Sequence, residues 1–389
     1  MRLKDLKFDC QHFHGEIPCK PNKLYDVECI DCAYYEQSEK LDNAIATETI
    51  NPNIVFSASN QKRILIIKLG AIGDVIRTTP LLTKYKATYG DCHFTWITHS
   101  PEVLPSGEID KIYKWNEDAV NTIKQNQFDI ALNLDKDQEA CELLANIHSQ
   151  EKYGFIWKDN HIDIATPQAE HKLITGLFDH ISKLNTKNYL EEIFEICHFD
   201  FNKEEYMINL NQELSNQWNI KLKKLADGKT VVGLNTGCGE RWKTRLWPKE
   251  YWRELINSLE NEGYFCLLMG GPDEDIMNKY YAQHTNATYF GHFSLEEFIA
   301  LTNNTQIIVT PVSMMMHIAL ALKKQMMLFH NIFNVNEFEL YDRGVIIEPK
   351  TGCDCYFGNT CSRERSCMYD VAVKDVLSNI VNLNKKIKK

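Results

Sequence analysis

Short apolar runs alternate with helix-length amphipathic segments along most of the chain from residue 63 onward. The run "ILIIKL" (64–69) is continuous and apolar, as strands buried in a parallel sheet are. Ile72, Val75, Thr79 and Leu82 then recur at helical spacing, and "HFTWIT" and "FDIALNL" are further strand candidates. This pattern predicts a first α/β domain that ends near residues 210–228.

A second α/β domain is predicted from "TVVGLNTG" (230–237) onward. Pro248 suits a helix start, and an apolar face runs from there to Gly263; it comprises Trp252, Leu255, Ile256 and Leu259. "SLEE" (294–297) has capping-box spacing, and "YFCLLMGG", "QIIVT" and "QMMLF" read as strands, with a helix through "MMMHIALAL". Such alternation predicts a parallel sheet covered by helices, and two such domains predict a cleft between them.

The two ends of the chain differ from this pattern. Residues 1 to about 40 show little periodicity, and the polar stretch "EQSEKLDNAIATETINPNIVFSASNQ" links them to the first strong strand. A cysteine-rich loop and a helical tail, "VAVKDVLSNIVNL", end the chain. We therefore predict four regions: a Cys-rich module with its linker (1–60), two Rossmann-like domains (61–228 and 229–349), and a Cys-rich loop with a C-terminal helix (350–389).

Composition and charge narrow the class of protein. A hydrophobic content of 44% and a charged content of 25% are ordinary for a globular protein, and the net charge of −10 does not favour nucleic acid as a partner. The N-terminus lacks an apolar segment of signal-peptide length, and nowhere do about 18 apolar residues run together. We expect a cytoplasmic protein, at most peripheral to an inner membrane.

Thirteen cysteines are many for a reducing compartment, and eight of them form two groups. Cys10, Cys19, Cys29 and Cys32 contain one close pair, and Cys353, Cys355, Cys361 and Cys367 lie within fifteen residues. Both spacings predict a structural zinc or iron ion, between which spacing does not choose; the alternative is compact loops with unmetallated thiols. Five others are predicted to be isolated and packed: Cys92, Cys141, Cys197, Cys238 and Cys266.

The turn "KLGAIGD" after the first strand carries a carboxylate where many such turns receive phosphate. Asp74 directly follows Gly73, and a diphosphate lodged beside it would be repelled. The turn should lie at the carboxyl end of the sheet, where a carboxylate can accept a proton from a hydroxyl that attacks an activated carbon. The alternative is that Asp74 only caps its helix.

Three motifs, in order, resemble one family. "ILIIKLGAIGDVIRTTPLL", "NTGCGERWKTRLWPKEYW" with "GGPDED", and "MMMHIALAL" are similar to motifs of glycosyltransferase family 9, the ADP-heptose:lipopolysaccharide heptosyltransferases and their relatives. The resemblance runs from about Arg63 to the C-terminus and leaves residues 1–60 outside. It implies a GT-B fold with the acceptor on the first domain and the nucleotide-sugar on the second, inversion at the anomeric carbon and no catalytic metal.

The resemblance also implies roles for individual residues. Asp74 matches the proposed general base. Donor contacts are implied for Thr236, Gly237, Arg241, Lys243, Arg245, Glu274, Ser313 and His317. Arg245 stands where the family usually has a phosphate-facing lysine. Plainer alternatives exist for five of these residues: a solvated basic edge for the three cations, a helix cap for Glu274, and a packed core side chain for His317. A cysteine-rich loop near the C-terminus also occurs in some relatives.

The chain departs from the family at the start of the "MMMHIALAL" helix. Val312 replaces the usual acidic residue, and Met314 replaces a usual glycine. An aliphatic side chain cannot accept hydrogen bonds from sugar hydroxyls, so this departure predicts a changed preference for the donor sugar.

We therefore expect an inverting glycosyltransferase that uses ADP-heptose or a related nucleotide-sugar. The acceptor would be a hydroxyl of a lipopolysaccharide core, another glycan or a protein. Two rivals are a two-domain sugar-nucleotide epimerase, which the Gly70–Asp74 turn fits poorly, and a metal-stabilised binding or assembly protein whose transferase site has decayed. Turnover of a nucleotide-sugar discriminates a transferase from the decayed site.

Overall fold

The computed structural model describes residues 1–38 and 61–387. Chain contacts divide it into two compact units: Met1–Glu204 with Asn336–Glu339, and Glu205–Val335 with Leu340–Lys389. The predicted linker, residues 36–61, lies outside the described residues except at its two ends.

The first unit contains a six-stranded sheet in the order β3-β2-β1-β4-β5-β6. All neighbours are parallel except the antiparallel pair β5–β6. The strands are β1 (Lys62–Ile67), β2 (Cys92–Thr98), β3 (Lys111–Lys114), β4 (Gln127–Asn133), β5 (His148–Lys158) and β6 (His161–Ile164). This is the order of a doubly wound dinucleotide-binding sheet.

The helices of the first unit are α1 (Lys20–Tyr25), α2 (Ile72–Ile76), α3 (Pro80–Tyr89), α4 (Glu117–Lys124), α5 (Gln138–Ala145), α6 (Glu170–Leu177), α7 (Asp179–Leu184) and α8 (Tyr189–Ile196). The apolar spacing from Ile72 to Leu82 therefore spans two helices. The break falls before Pro80, which has no N–H to continue the hydrogen bonding of α2.

The N-terminal segment, residues 1–38, packs against strand β6 and helices α6 and α7 of the first unit. The backbone N–H of Cys19 donates to the carbonyl of Leu177 (2.9 Å), and Phe8 stacks on His161 with ring centroids 4.3 Å apart. Asn22 is almost fully buried, and its side chain accepts from the N–H of Asp179 (3.0 Å). The segment contributes few buried apolar side chains to a core, namely Leu6, Cys10 and Phe13.

The second unit repeats the same strand order with β12-β11-β10-β7-β8-β9, all parallel. Its strands are β7 (Val231–Asn235), β8 (Phe265–Met269), β9 (Thr288–Tyr289), β10 (Ile307–Pro311), β11 (Gln325–Phe329) and β12 (Gly344–Ile347). Its helices are α9 (Gln212–Ala226), α10 (Lys249–Asn261), α11 (Asp275–His284), α12 (Leu295–Thr302), α13 (Met314–Ala321) and α14 (Val373–Ile387).

The local predictions for the second unit are confirmed. The predicted apolar face of α10 is buried from Trp252 to Leu259, and Ser294 caps α12 by accepting from the N–H of Glu297 (3.3 Å). Helix α9, which the sequence placed before the domain boundary, packs in the second unit, where Asn303 donates to Ser215 (2.9 Å). The domain ranges 61–228 and 229–349 stay predictions.

The two sheets confirm the predicted α/β class with two Rossmann-like units. Strand β1 lies in the middle of its sheet, paired with β2 and β4, and helices cover the sheet. Its Ile and Leu side chains are therefore buried, which explains why this apolar run is continuous. In the described residues, no helix combines the length and the apolar character that crossing a membrane requires.

Candidate functional site

The turn after β1 is held by one buried carboxylate, that of Asp135, which follows β4. It accepts hydrogen bonds from the ammonium of Lys68 and from the backbone N–H groups of Leu69 and Gly70, the last at 3.1 Å. Burial disfavours the charged form of Lys68, but the Asp135 charge outweighs it and raises the pKa of Lys68 above its ordinary value. The turn is therefore tied to two strands and keeps a fixed shape.

Asp74 lies in the first turn of α2 with its side chain about one-third exposed. A carbon added at Gly70 would lie 3.1 Å from Asp135 Oδ1, 3.2 Å from Lys68 Nζ and 3.5 Å from Asp74 Oδ2. Three charged groups thus converge on Gly70 and leave no room for a larger residue. Among them, Lys68 and Asp135 are buried, so the carboxylate that a substrate hydroxyl can reach is that of Asp74.

Arg77 contacts Asp74 from the other side, and the sequence analysis did not identify it. Its Nη2 lies 2.7 Å from Asp74 Oδ1, its Nη1 lies 2.8 Å from Glu337 Oε1, and its guanidinium carbon is 3.3 Å from the centroid of the Tyr189 ring. The spacing of Asp74 and Arg77, three residues apart on a helix, could have indicated this pair. Nothing in the sequence indicates Glu337, which comes 260 residues after Arg77.

Two further lysines lie near this site. Lys172 pairs with the buried Glu192, and this pairing outweighs the effect of burial and lowers the pKa of Glu192 to about 2. Lys136 is half-buried and has no carboxylate within ion-pair distance in the described part of the chain. Desolvation, together with the charge of Lys172, lowers the pKa of Lys136 to about 8. The charge of Lys172 is therefore compensated by Glu192, whereas the charged form of Lys136 is disfavoured.

The predicted donor residues of the second unit gather at the carboxyl ends of β7 and β10. Asn235 at the end of β7 donates to the carbonyl of Gly237 (3.0 Å) and to the hydroxyl of Thr310 (3.0 Å). The hydroxyl of Thr236 donates to Asn278 (2.7 Å), so it is directed into the unit. The Ser313 hydroxyl lies 3.2 Å from that of Thr310.

Glu274 caps its own helical turn and covers Gly237. Its carboxylate accepts from the N–H of Gly271 (2.8 Å), and a carbon added at Gly237 would lie 1.9 Å from Glu274 Oε1. Glu274 therefore caps its turn, as the plainer alternative predicts, and it also packs against Gly237.

The three predicted cations diverge. Arg245 is buried, and its guanidinium donates to the backbone carbonyls of Val312, Cys238 (2.6 Å) and Trp242 (3.3 Å). Exposed Lys243 pairs with Glu240 (2.7 Å), while exposed Arg241 lies over the Trp242 ring, 4.3 Å from its centroid. Arg245 therefore braces the loop, and the other two cations remain on the surface.

Helix α13 places the remaining donor residues. His317 is buried, and its ring stacks on that of Tyr206 with centroids 6.1 Å apart. Val312, just before the helix, is 8% exposed, and its carbonyl is one acceptor for Arg245. The backbone at the unusual position is thus bound to Arg245 of the loop after β7.

The two cysteine groups bring their thiols close together. The sulfurs of Cys19 and Cys29 accept from the backbone N–H groups of Asn22 and Lys7, and both thiols interact electrostatically with Cys10 and Cys32. In the second group, Cys353 contacts Cys367 and Cys355 contacts Cys361, while the N–H of Cys355 donates to the sulfur of Cys353 (3.4 Å).

Within residues 1–38 and 61–387, no set of three or more His, Cys, Asp or Glu side chains is arranged to hold a metal ion. All thirteen cysteines belong to this part of the chain, and none forms a disulfide. Metal ligation stays a prediction. The five cysteines predicted to be isolated and packed are all buried.

Comparison with protein families and solved structures gives consistent matches. The family model for glycosyltransferase family 9 (heptosyltransferase) matches residues 119–343. A family 9 glycosyltransferase from Veillonella parvula is 15% identical, with 85% of this chain and 99% of that chain covered and a TM-score of 0.66. E. coli ADP-heptose lipopolysaccharide heptosyltransferase II is 15% identical, with 84% and 100% covered and a TM-score of 0.59.

A third similar structure is the iron-containing dodecameric glycosyltransferase TibC from enterotoxigenic E. coli. It is 13% identical, with 84% of this chain and 79% of that chain covered and a TM-score of 0.51. These likenesses confirm the predicted GT-B fold class. Comparison with curated protein sequences gives no match.

The contacts of Arg245 lead to a prediction about stability. Replacing Arg245 by Met leaves two or three loop carbonyls without their donor, so we expect the free energy of unfolding to fall by about 3 kcal/mol. Arg241→Met and Lys243→Met, which alter surface cations of the same loop, should change it by less than about 0.5 kcal/mol. Urea unfolding measures all three. Equal small changes in the three variants would contradict the bracing role.

Proposed function

Because the chain belongs to glycosyltransferase family 9, we propose that it is an inverting glycosyltransferase that transfers heptose or a related sugar from a nucleotide-diphosphate donor to a hydroxyl group. The single observation that carries this proposal is the position of Asp74 in the turn after β1, with its carboxylate one-third exposed and oriented by Arg77. A carboxylate in this position suits a base for an acceptor hydroxyl.

In the proposed reaction, Asp74 takes the proton of the acceptor hydroxyl while the hydroxyl oxygen bonds to the anomeric carbon of the sugar. The bond from that carbon to the diphosphate oxygen breaks, and the nucleoside diphosphate leaves with the electron pair. Attack from the side opposite the leaving group inverts the configuration. Transition-state stabilisation then requires positive charge where the diphosphate gains negative charge.

We assign the diphosphate to the second unit. An arginine carries five N–H donors, and the three carbonyls that Arg245 contacts leave further donors for a phosphate oxygen. The exposed Arg241 and Lys243 have long side chains that can turn toward a bound anion. Backbone N–H groups from Ser313 onward begin α13 and add a favourable dipole.

We further propose that Thr236, Gly237, Glu274 and His317 complete the donor site, with Glu274 packed on Gly237 at the carboxyl end of β7. The donor is ADP-heptose or a close relative, as the name of the E. coli heptosyltransferase II suggests. The acceptor is a glycan, a lipopolysaccharide core or a protein. Thirteen cysteines without a disulfide support a cytoplasmic location.

Family membership argues against the epimerase alternative. The decayed-site alternative makes a different prediction for turnover: such a protein binds a nucleotide and neither hydrolyses nor transfers its sugar. Mixing the protein with a panel of nucleotide-sugars and following both native mass spectra and nucleoside diphosphate release separates the two.

We also propose that each cysteine group holds one structural zinc or iron ion. Four thiols suit either metal, and backbone N–H groups donate to three of the sulfurs. A segment of 38 residues with so few buried apolar side chains needs another source of stability, and a metal supplies one. The similar TibC structure is described as iron-containing.

The first test of the proposed function concerns Asp74. Asp74→Asn should lower transfer by about 10²-fold or more because the base is lost, while nucleotide affinity measured by calorimetry stays nearly unchanged. Asp118→Asn, an exposed change at the first turn of α4, is the matched control. Transfer at the unmodified rate in the Asp74 variant would exclude the role.

The second test concerns the thiols. Elemental analysis of protein purified without added metal should find about two ions per chain, one per four-thiol group. Cys29→Ser and Cys361→Ser should each remove one ion and lower the melting temperature, whereas Cys92→Ser, at an isolated thiol, should keep both ions. A folded protein without bound metal would overturn this assignment.

The third test concerns the donor sugar. A lost charged hydrogen bond is worth about 1.5–3 kcal/mol, enough to change which sugar is preferred. We expect poor use of ADP-heptose by the unmodified protein and a higher preference for it in Val312→Asp, with Val312→Asn as an uncharged control. Rates with a panel of donors measure this. Efficient heptose transfer by the unmodified protein, undiminished against other donors, would show that position 312 is neutral.

A further inference from the structure

We propose that Arg77 and Glu337 are positioning residues that act as one unit and set the basicity of Asp74; this inference rests on the proposed role of Asp74 as the general base. Arg77 holds the Asp74 carboxylate in one orientation by binding its Oδ1. Glu337 shares the positive charge of Arg77, so that Asp74 keeps enough proton affinity to accept a proton.

Arg77 contacts two carboxylates and one aromatic ring. It is about one-tenth exposed, it forms two short ion pairs with Asp74 and Glu337, and its guanidinium packs on the face of Tyr189. Its two terminal nitrogens serve different carboxylates: Nη2 lies on Asp74 and Nη1 on Glu337. The planar guanidinium therefore fixes the direction of the Asp74 carboxylate.

An arginine that served Asp74 alone would make it a poor base. An opposite charge at this distance lowers the pKa of a carboxyl group by roughly 1–3 units, because the charged form is favoured. A second carboxylate on the same guanidinium weakens that effect. The carboxylate of Glu337 therefore raises the proton affinity of Asp74 through Arg77.

Glu337 also matters after the proton has moved. Once Asp74 is neutral, the ion pair between Arg77 and Glu337 remains. With Glu337 in place, the charge of Arg77 stays compensated both before and after proton transfer, so the transfer does not create an unpaired charge.

Other charged groups lie near this site. Lys136 interacts with Lys68 and Lys172, and burial together with the charge of Lys172 lowers the pKa of Lys136 to about 8. Lys68 on the β1 side interacts with Asp74, but its ammonium is bound to Asp135. Lys172 on α6 interacts with Glu337, but its ammonium is bound to Glu192. The Tyr189 ring lies against Arg77. The Arg77–Glu337 pair is bound directly to the Asp74 carboxylate and therefore responds to a proton on it.

The chain places Glu337 at the site by a short excursion. Asn336–Glu339 belongs to the first unit, although the residues before and after it belong to the second. The Asn336 side chain donates to the carbonyl of Asn185 (3.1 Å) and anchors this excursion next to Tyr189 at the start of α8. Glu337 is thus held in place independently of its ion pair with Arg77.

The experiment is a pH profile from pH 3 to 9 for the hydrolysis of ADP-heptose, in which water takes the place of the acceptor, followed as ADP release. Arg77→Met removes the cation, so the pKa of Asp74 should rise and the acid limb should move up by about 1 pH unit or more. Glu337→Gln returns the full charge of Arg77 to Asp74, so the acid limb should move down by about 1 unit, with a lower plateau.

Two controls keep the outcome interpretable. Arg77→Lys retains the charge and should move the acid limb by less than Arg77→Met does, even if the Met variant folds poorly. Lys86→Met and Glu108→Gln remove the two partners of an exposed ion pair in the same unit and should move neither limb. Titration of ¹³C-labelled aspartate carboxyls, with Asp74→Asn to assign the signal, measures the same pKa changes without turnover.

The inference is supported if the acid limb moves up in Arg77→Met and down in Glu337→Gln. A purely structural role would lower the activity of both variants without moving their acid limbs in opposite directions. Displacements in the same direction, or none in either the profile or the carboxyl titration, would overturn it. Full activity in Asp74→Asn is a separate result, because it would reject the base itself rather than its tuning.

Discussion

The Asp135 carboxylate is the constraint on which the chemistry of the first unit depends. It binds the ammonium of Lys68 and the backbone of Leu69 and Gly70, so it ties the end of β1 to the end of β4. Loss of this charge would leave Lys68 buried without a partner, a cost of several kcal/mol. Because the turn is held in this way, α2 starts in a fixed direction and the Asp74 carboxylate lies beside Gly70. Arg77 and Glu337 can tune a carboxylate only because its position is already fixed.

In the second unit, the loops at the strand ends are held by side chains that bind backbone carbonyls. Arg245 joins the loop after β7 to the residue after β10, and Asn235 joins the same two strands. These bonds use the Nε and both terminal nitrogens of Arg245. Both units thus present their chemistry at the carboxyl ends of parallel strands, the edge where ligands bind in sheets of this kind.

Sequence patterns located elements whose signal is local. The apolar runs of β1, β7 and β8, the face of α10 and the cap at Ser294 all follow from neighbouring residues, and the structure contains them. The antiparallel pair β5–β6 was not predicted from the sequence, because β5 is polar over its first half and is buried only from Tyr153 to Phe155. The break before Pro80 was also missed, because the apolar spacing continues across it.

The sequence by itself determined the α/β class, the repeated Rossmann-like pattern, the family resemblance and the choice of Asp74, because strand burial, helix periodicity and short motifs depend on residues close together in the chain. Only the tertiary structure decided which groups surround that carboxylate. Glu337 reaches Arg77 from 260 residues away, and Arg245 turns inward to carbonyls although its spacing suits a phosphate. The physical reason is that ion pairs and buried hydrogen bonds depend on distance in space, and this distance is set only when the strands of each sheet come together.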